Sequence, residues 1–163
     1  MTFLVEAPVV VLWQWVRHRM ASYSLSSGRY TKFDKDSAYI PTEWRLQSPD
    51  NKQASLGLLN HDDSIKLTEL LVAHHEVSYQ HYETALSMGV AREMARYFLP
   101  SWVIMYDAVI TIDIKNLMDM LKLRMADDAQ YEIRQYANAI FDEFFEPLFP
   151  WTAEAFKDGL NKK

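Results

Sequence analysis

Arg17-His18-Arg19-Met20-Ala21-Ser22-Tyr23-Ser24-Leu25-Ser26-Ser27-Gly28-Arg29-Tyr30 follows directly on an apolar run. Three arginines, a histidine and four serines fall within fourteen residues. Arginine carries a permanent charge on a rigid fork of donors that matches phosphate oxygens. Clustered hydroxyls and a glycine beside an arginine suit close approach to a phosphate. The stretch therefore reads as a phosphate or nucleotide site. A cation-rich helix end accounts for the same residues, because cations favour the negative end of the helix dipole.

Working outward from this stretch, residues 7–20 read as one buried helix with Pro8 in its first turn and Arg17, His18 and Arg19 in its last. On that helix Gln14, Arg17 and His18 share a face. Ser22 to Lys32 read as a loop leading into a short extended piece. Residues 33–63 are polar and turn-rich and read as a long surface connection. A long helix is expected from about Ser64 to Met88, with Leu67, Leu70, Leu71, Val77, Ala85 and Leu86 in its apolar stripe and Gly89 as its stop. A short helix over 90–99 ends before Pro100. Residues 101–112 fit helix or strand. Asp113 to Met125 is amphipathic. Asp127 reads as an N-cap with Gln130 completing a capping box, opening a helix to about Phe145. Pro147 and Pro150 end that helix, and Thr152 caps a short last one.

The composition narrows the function classes. A chain of 163 residues with 49% apolar content suits one domain, 1–163, with a real core. A net charge of −5 argues against a general nucleic-acid binder and leaves any anion site local. No stretch reaches the ~18 uncharged apolar residues of a membrane span. The first residues show no basic region or small-residue cleavage site, so the expected location is the cytoplasm. With no cysteine, disulfides, thiolate metal sites and a cysteine nucleophile are excluded. His74, His75 and His81 with Glu76 and Glu83 lack the spacing of a zinc motif, so no metal is expected. Tyr79, Tyr82 and the tryptophans read as core or subunit interface. Arg134 borders the apolar stripe of its helix and needs an anionic partner, with Asp127, Asp128 and Glu132 as candidates.

Several blocks together resemble the flavin-dependent thymidylate synthases. They are Arg17-His18-Arg19 with Ser22 and Ser27-Gly28-Arg29-Tyr30, then Tyr39-Ile40-Pro41, then Gly89-Val90-Ala91-Arg92-Glu93 with Leu99-Pro100. They continue as Leu121-Lys122-Leu123-Arg124-Met125-Ala126-Asp127-Asp128-Ala129-Gln130-Tyr131-Glu132-Ile133-Arg134 and end at Pro150-Trp151. The order is the family's, and the blocks cover nearly the whole chain.

The resemblance implies an α+β fold, mostly helical with a small β-sheet, and a homotetramer with sites shared between subunits. It implies conversion of dUMP to dTMP with methylenetetrahydrofolate as carbon donor, FAD as hydride carrier and NADPH as reductant. The absence of cysteine fits, since the other class of thymidylate synthase needs a cysteine nucleophile. By resemblance, Arg17, His18 and Arg19 line the flavin and folate region, and Lys122, Arg124 and Asp128 contact FAD. Gln14, Ser27, Gly28 and Arg29 hold the nucleotide phosphate and sugar. Arg134 reaches and polarises the uracil ring as the catalytic residue.

The chain departs from the family at Ser24 and Leu25, where Asn and then Glu or Gln are common. It departs again at Asp113-Ile114-Lys115 and across Ser101 to Asp107. The apolar helix begins almost at Met1, so the N-terminal portion of the sheet is expected to be missing or shortened. A non-catalytic or split nucleotide- or flavin-binding relative that needs a partner chain is the alternative reading.

Overall fold

The computed structural model describes residues 1–52 and 54–161. The first eight residues form a strand. In β1 (Thr2–Pro8) Phe3, Val5 and Ala7 point inward and alternate with exposed Thr2, Leu4 and Glu6, the period-2 pattern of a half-buried strand. This corrects the expectation that the helix starts near Met1. Some N-terminal sheet is present in this chain.

Residues 101–112, open between helix and strand, resolve as β5 (Met105–Ile112). Val109, Ile110, Thr111 and Ile112 make a β-branched run suited to a pleated surface. β5 is the central strand of a three-stranded antiparallel sheet, with β1 on one edge. Phe3 lies opposite Ile110 and Val5 opposite Ala108. The other edge is β2 (Ala21–Leu25), with Tyr23 opposite Ile110. Ser22 to Leu25 are therefore strand and not loop. Leu25 ends β2 half-exposed, opposite Ala108.

Between β1 and β2 the helix is short. α1 (Val9–Trp15) has Pro8 as its N-cap. The Tyr23 hydroxyl lies 2.8 Å from the carbonyl oxygens of both Trp15 and His18. It ties residues 16–20 into a turn that returns the chain to the sheet. Arg17, His18 and Arg19 thus lie just past the helix and not in its last turn.

The core lies on one face of the sheet. α4 (Ile114–Arg124) is capped by Asp113, whose side chain accepts from the Asn116 amide. It buries Leu117, Met120 and Leu121. α5 (Tyr131–Ile140) buries Ile133 and Ala137. It continues as a π-helical turn, Phe141–Phe145, that places Phe141 and Phe145 in the same cluster. α6 (Glu146–Leu148) and α7 (Pro150–Asn161) follow. The expected capping box is absent: α5 starts at Tyr131, and Gln130 is its N-cap residue without a side-chain cap. Thr152 lies inside α7, which begins at Pro150.

The long helix α2 (His61–Ser87) starts at Asn60, whose side chain accepts from the Asp63 amide. Gly89 ends it with a φ of +83°, a conformation that costs glycine nothing. Its buried residues include His75, Tyr79, Tyr82 and Ala85, whereas Leu67, Leu70 and Val77 of the expected stripe are exposed. Tyr79 and Tyr82 form a second cluster with Ala95, Leu99 and Ile104. The short α3 (Arg92–Ala95) and a 3₁₀ turn over Arg96–Phe98 pack beside it. Of the tryptophans, only Trp15 is fully buried; Trp13, Trp102 and Trp151 are exposed.

The connection over 33–63 is built rather than loose. It contains a hairpin of β3 (Arg45–Gln47) and β4 (Ser55–Leu58). The Trp44 indole donates to Thr68 Oγ1 at 3.1 Å, and Thr68 donates to the Pro41 carbonyl at 2.8 Å. The His75 ring donates to the Lys35 carbonyl at 2.8 Å. These contacts lay the segment along α2.

Candidate active site

A cavity of about 760 Å³ opens between α1, the β3–β4 hairpin and the junction of α4 and α5. That size suits a small-molecule or cofactor site. Gln14, Tyr39, Arg45, Arg124, Gln130 and Glu132 line its polar wall, and Asp128 lines it as well.

The polar wall is continuous. Arg124 Nε donates to His18 Nε2 at 3.0 Å, and Nη1 donates to Gln14 Oε1 at 2.9 Å. Gln14 Nε2 donates to Gln130 Oε1. Gln130 Nε2 donates to Glu132 Oε2 at 2.8 Å. The other carboxylate oxygen pairs with Arg45 and accepts from the Tyr39 hydroxyl at 3.5 Å.

The electrostatics of the two ends differ. Burial and the neighbouring Arg124 charge lower the His18 pKa to about 4, so the imidazole is neutral near pH 7. Burial first, then the charge of Arg17, pushes the Arg124 pKa down. Arg17 thus adds like charge beside Arg124; among the described residues neither Arg17 nor Arg19 forms an ion pair, and both are exposed. At the other end Glu132 is buried, which raises its pKa. The Arg45 and Gln130 hydrogen bonds outweigh that, and the net shift is downward.

The residues expected at a site separate into four places. Gln14, His18 and Arg124 meet directly, with Asp128 on the same cavity. Lys122 is exposed on the last turn of α4. Ser27, Gly28 and Arg29 lie after β2, against α3. There Ser27 Oγ accepts from the Arg29 amide at 3.3 Å, and Arg29 Nε pairs with Glu93 at 3.2 Å. A Cβ on Gly28 would overlap the Phe33 ring. That ring sits against Tyr82 and Tyr106, with centroids at 6.5 and 5.1 Å. Arg134 donates to the Asp127 carbonyl at 3.0 Å and pairs with its carboxylate at 3.6 Å. Of the three candidate partners for Arg134, Asp127 is the one used.

Arg45 was not singled out from the sequence, Gln130 only as the expected capping-box residue, and Glu132 only as a candidate partner of Arg134. Arg45 carries no local signal, since its partner is 87 positions away. Glu132 adjoins Ile133 in the buried stripe of α5, and that adjacency is the one available clue. Among the described residues no group of three or more His, Asp or Glu could hold a metal ion. Nor, among the described residues, is any helix long and apolar enough to cross a membrane.

Residues 1–151 match the family described as thymidylate synthase complementing protein. The chain is 42% identical over 157 residues to a flavin-dependent thymidylate synthase of Thermosipho africanus, covering 95% of this chain and 67% of that one. It is 42% identical over 159 residues to the flavin-dependent thymidylate synthase of Thermus thermophilus, covering 97% and 56%. The structure resembles that of the UMP/dUMP methylase PolB from Streptomyces cacaoi bound with 5-Br dUMP. The TM-score is 0.84 at 29% identity, over 97% of this chain and 70% of that one. The chain belongs to the thymidylate synthase complementing protein family. It spans about 56–67% of the length of these two flavin-dependent relatives.

Proposed function

We propose that this chain carries the nucleotide and flavin site of a flavin-dependent thymidylate synthase that methylates dUMP to dTMP. The observation that carries the reading is Arg124 on the cavity wall, in contact with a neutral His18 and with the Arg17 charge beside it, none of these cations held in an ion pair among the described residues. Such a group suits the diphosphate of FAD, and arginine forks bind phosphate in bidentate fashion. When bound, the flavin supplies the hydride. Methylenetetrahydrofolate is the carbon donor and NADPH the reductant.

Lys122, Arg124 and Asp128, with Arg17, His18 and Arg19, hold the cofactor side. Gln14, Ser27, Gly28 and Arg29 hold the nucleotide. Arg134 stabilises negative charge that develops on the uracil ring. Its present partner Asp127 is fully exposed. Exchange of that ion pair for substrate therefore costs little, since exposed pairs contribute about 0–1 kcal/mol. Because Arg29 and Gln14 lie apart within one chain, the complete site joins residues of different copies in a homotetramer. The enzyme works in the cytoplasm.

Titration of the purified protein with FAD and with dUMP tests this. Flavin absorbance that co-purifies or saturates, and is lost in Arg124→Met, supports the reading. A wild-type chain that binds neither ligand overturns it.

A further inference from the structure

We propose that Glu132 is a positioning residue whose carboxylate, acting through Gln130 and Gln14, sets the direction of a hydrogen-bond relay and so fixes the orientation of Arg124 and the tautomer of His18. The role rests on the proposed function only in that Arg124 and His18 face the cofactor.

The argument is one of donor and acceptor counting. An ionised carboxylate only accepts, and a guanidinium only donates. Two amides stand between them, each with one accepting and one donating end. Glu132 Oε2 takes the Gln130 NH₂ at 2.8 Å, which turns Gln130 Oε1 toward Gln14. Gln14 must then present its NH₂ to Gln130 and its Oε1 to Arg124, as observed at 2.9 Å. The Gln14 backbone carbonyl accepts from Arg124 Nη2 at 3.3 Å and reinforces the same orientation. Turning either amide over sets two donors or two acceptors face to face at both of its ends. Arg124 is thereby held with Nε toward His18 Nε2 at 3.0 Å. An arginine Nε–H leaves that ring nitrogen only the acceptor role, so the ring proton of His18 sits on Nδ1.

Glu132 is suited to start such a relay. It is buried, and Arg45 occupies its second oxygen. In Glu132→Gln the single amide oxygen is claimed by the Arg45 cation, so an NH₂ faces Gln130 and the relay loses its direction. Gln130→Met breaks the relay one step later and leaves the Arg45–Glu132 pair intact. Either variant, if folded, decides the question alone.

The readout is the ¹⁵N spectrum of the full chain labelled at histidine, with the His18 ring assigned by loss of its signals in His18→Asn. The wild type is expected to show a neutral ring protonated at Nδ1. Glu132→Gln and Gln130→Met are expected to raise the Nε2-protonated fraction several-fold and to weaken FAD binding about tenfold, the value of one charge-assisted hydrogen bond. An unchanged His18 spectrum in either folded variant overturns the relay, whatever FAD does. A changed tautomer in variants of a wild type that binds no FAD upholds the relay and overturns the assigned cofactor site instead.

Discussion

Arg45 on the β3–β4 hairpin and Glu132 at the start of α5 form an ion pair across 87 residues of sequence. The Arg45 guanidinium also lies over the Tyr131 ring, 4.8 Å from its centroid. One contact thus joins the inserted hairpin to the helix that bears the polar wall of the cavity. Arg45→Met is expected to destabilise the fold by about 1–3 kcal/mol, the cost of a buried acceptor left unsatisfied. The figure stays below the roughly 3–5 kcal/mol of a fully enclosed pair because Arg45 is partly solvated. Chemical denaturation checks it, and a change under about 0.5 kcal/mol, the range of an ordinary surface substitution, contradicts it.

The same pair has a pH signature. The Glu132 pKa is lowered in the folded protein, so its contribution is present above the ordinary glutamate range and is lost as pH falls through the lowered value. In Arg45→Met the main group holding it down is gone. The acid-side loss of stability attributable to Glu132 below about pH 4.5 should therefore shrink. Paired unfolding curves from pH 3 to 7 read the difference.

His18 acts in a neighbouring window. Its folded pKa of about 4 lies below the ordinary 6.5, so the unfolded chain binds the proton first. Stability therefore falls as pH drops from 6.5 toward 4. His18 is partly solvated, and after discounting for screening the effect is ~1–2 kcal/mol. His18→Asn should flatten that part of the stability curve. A variant as steep as the wild type between those pH values contradicts a neutral His18.

Much of the architecture was legible in the residues. α4 and the Gly89 stop followed from periodicity and glycine chemistry, and Tyr79 and Tyr82, read as core or interface, are buried. β1 was missed because the helix was started at residue 7 and the alternation Phe3-Val5-Ala7 before it was not read as a strand. The end of α1 was not legible, because the Tyr23 hydroxyl that folds back on Trp15 and His18 belongs to the following strand. Of the site, the Gln14, His18 and Arg124 grouping follows the ordered motifs. Glu132 and Arg45 are brought together by the way the 33–63 segment is laid along α2 through Lys35, Pro41 and Trp44, a tertiary event with no local pattern.

Gly28→Ala is expected to destabilise by about 1–3 kcal/mol, the usual cost of overpacking. The added Cβ runs into the Phe33 ring, which Tyr82 and Tyr106 hold in place. Thermal unfolding of Gly28→Ala and of Gly28→Ala/Phe33→Leu separates the overlap from other effects. The double variant should recover part of the loss, and no recovery contradicts the overlap.

Arg29→Ala separates binding from folding. Arg29 and Glu93 are both more than half exposed, so losing their pair should cost no more than about 1 kcal/mol of stability. Loss of a charge-assisted phosphate contact should cost ~1.5–3 kcal/mol of dUMP affinity. Calorimetric titration with dUMP and a thermal melt on the same sample distinguish the two. Unchanged dUMP affinity removes Arg29 from the nucleotide site.

The most direct measurement is release of tritium from 5-tritiated dUMP by the purified chain supplied with FAD, NADPH and methylenetetrahydrofolate. The account predicts tritium release that depends on all three and is abolished, or lowered at least ~100-fold, in Arg134→Ala, matching the loss of one preorganised oxyanion donor. Release that is absent from a folded, flavin-loaded wild type, or that is undiminished in Arg134→Ala, would contradict it.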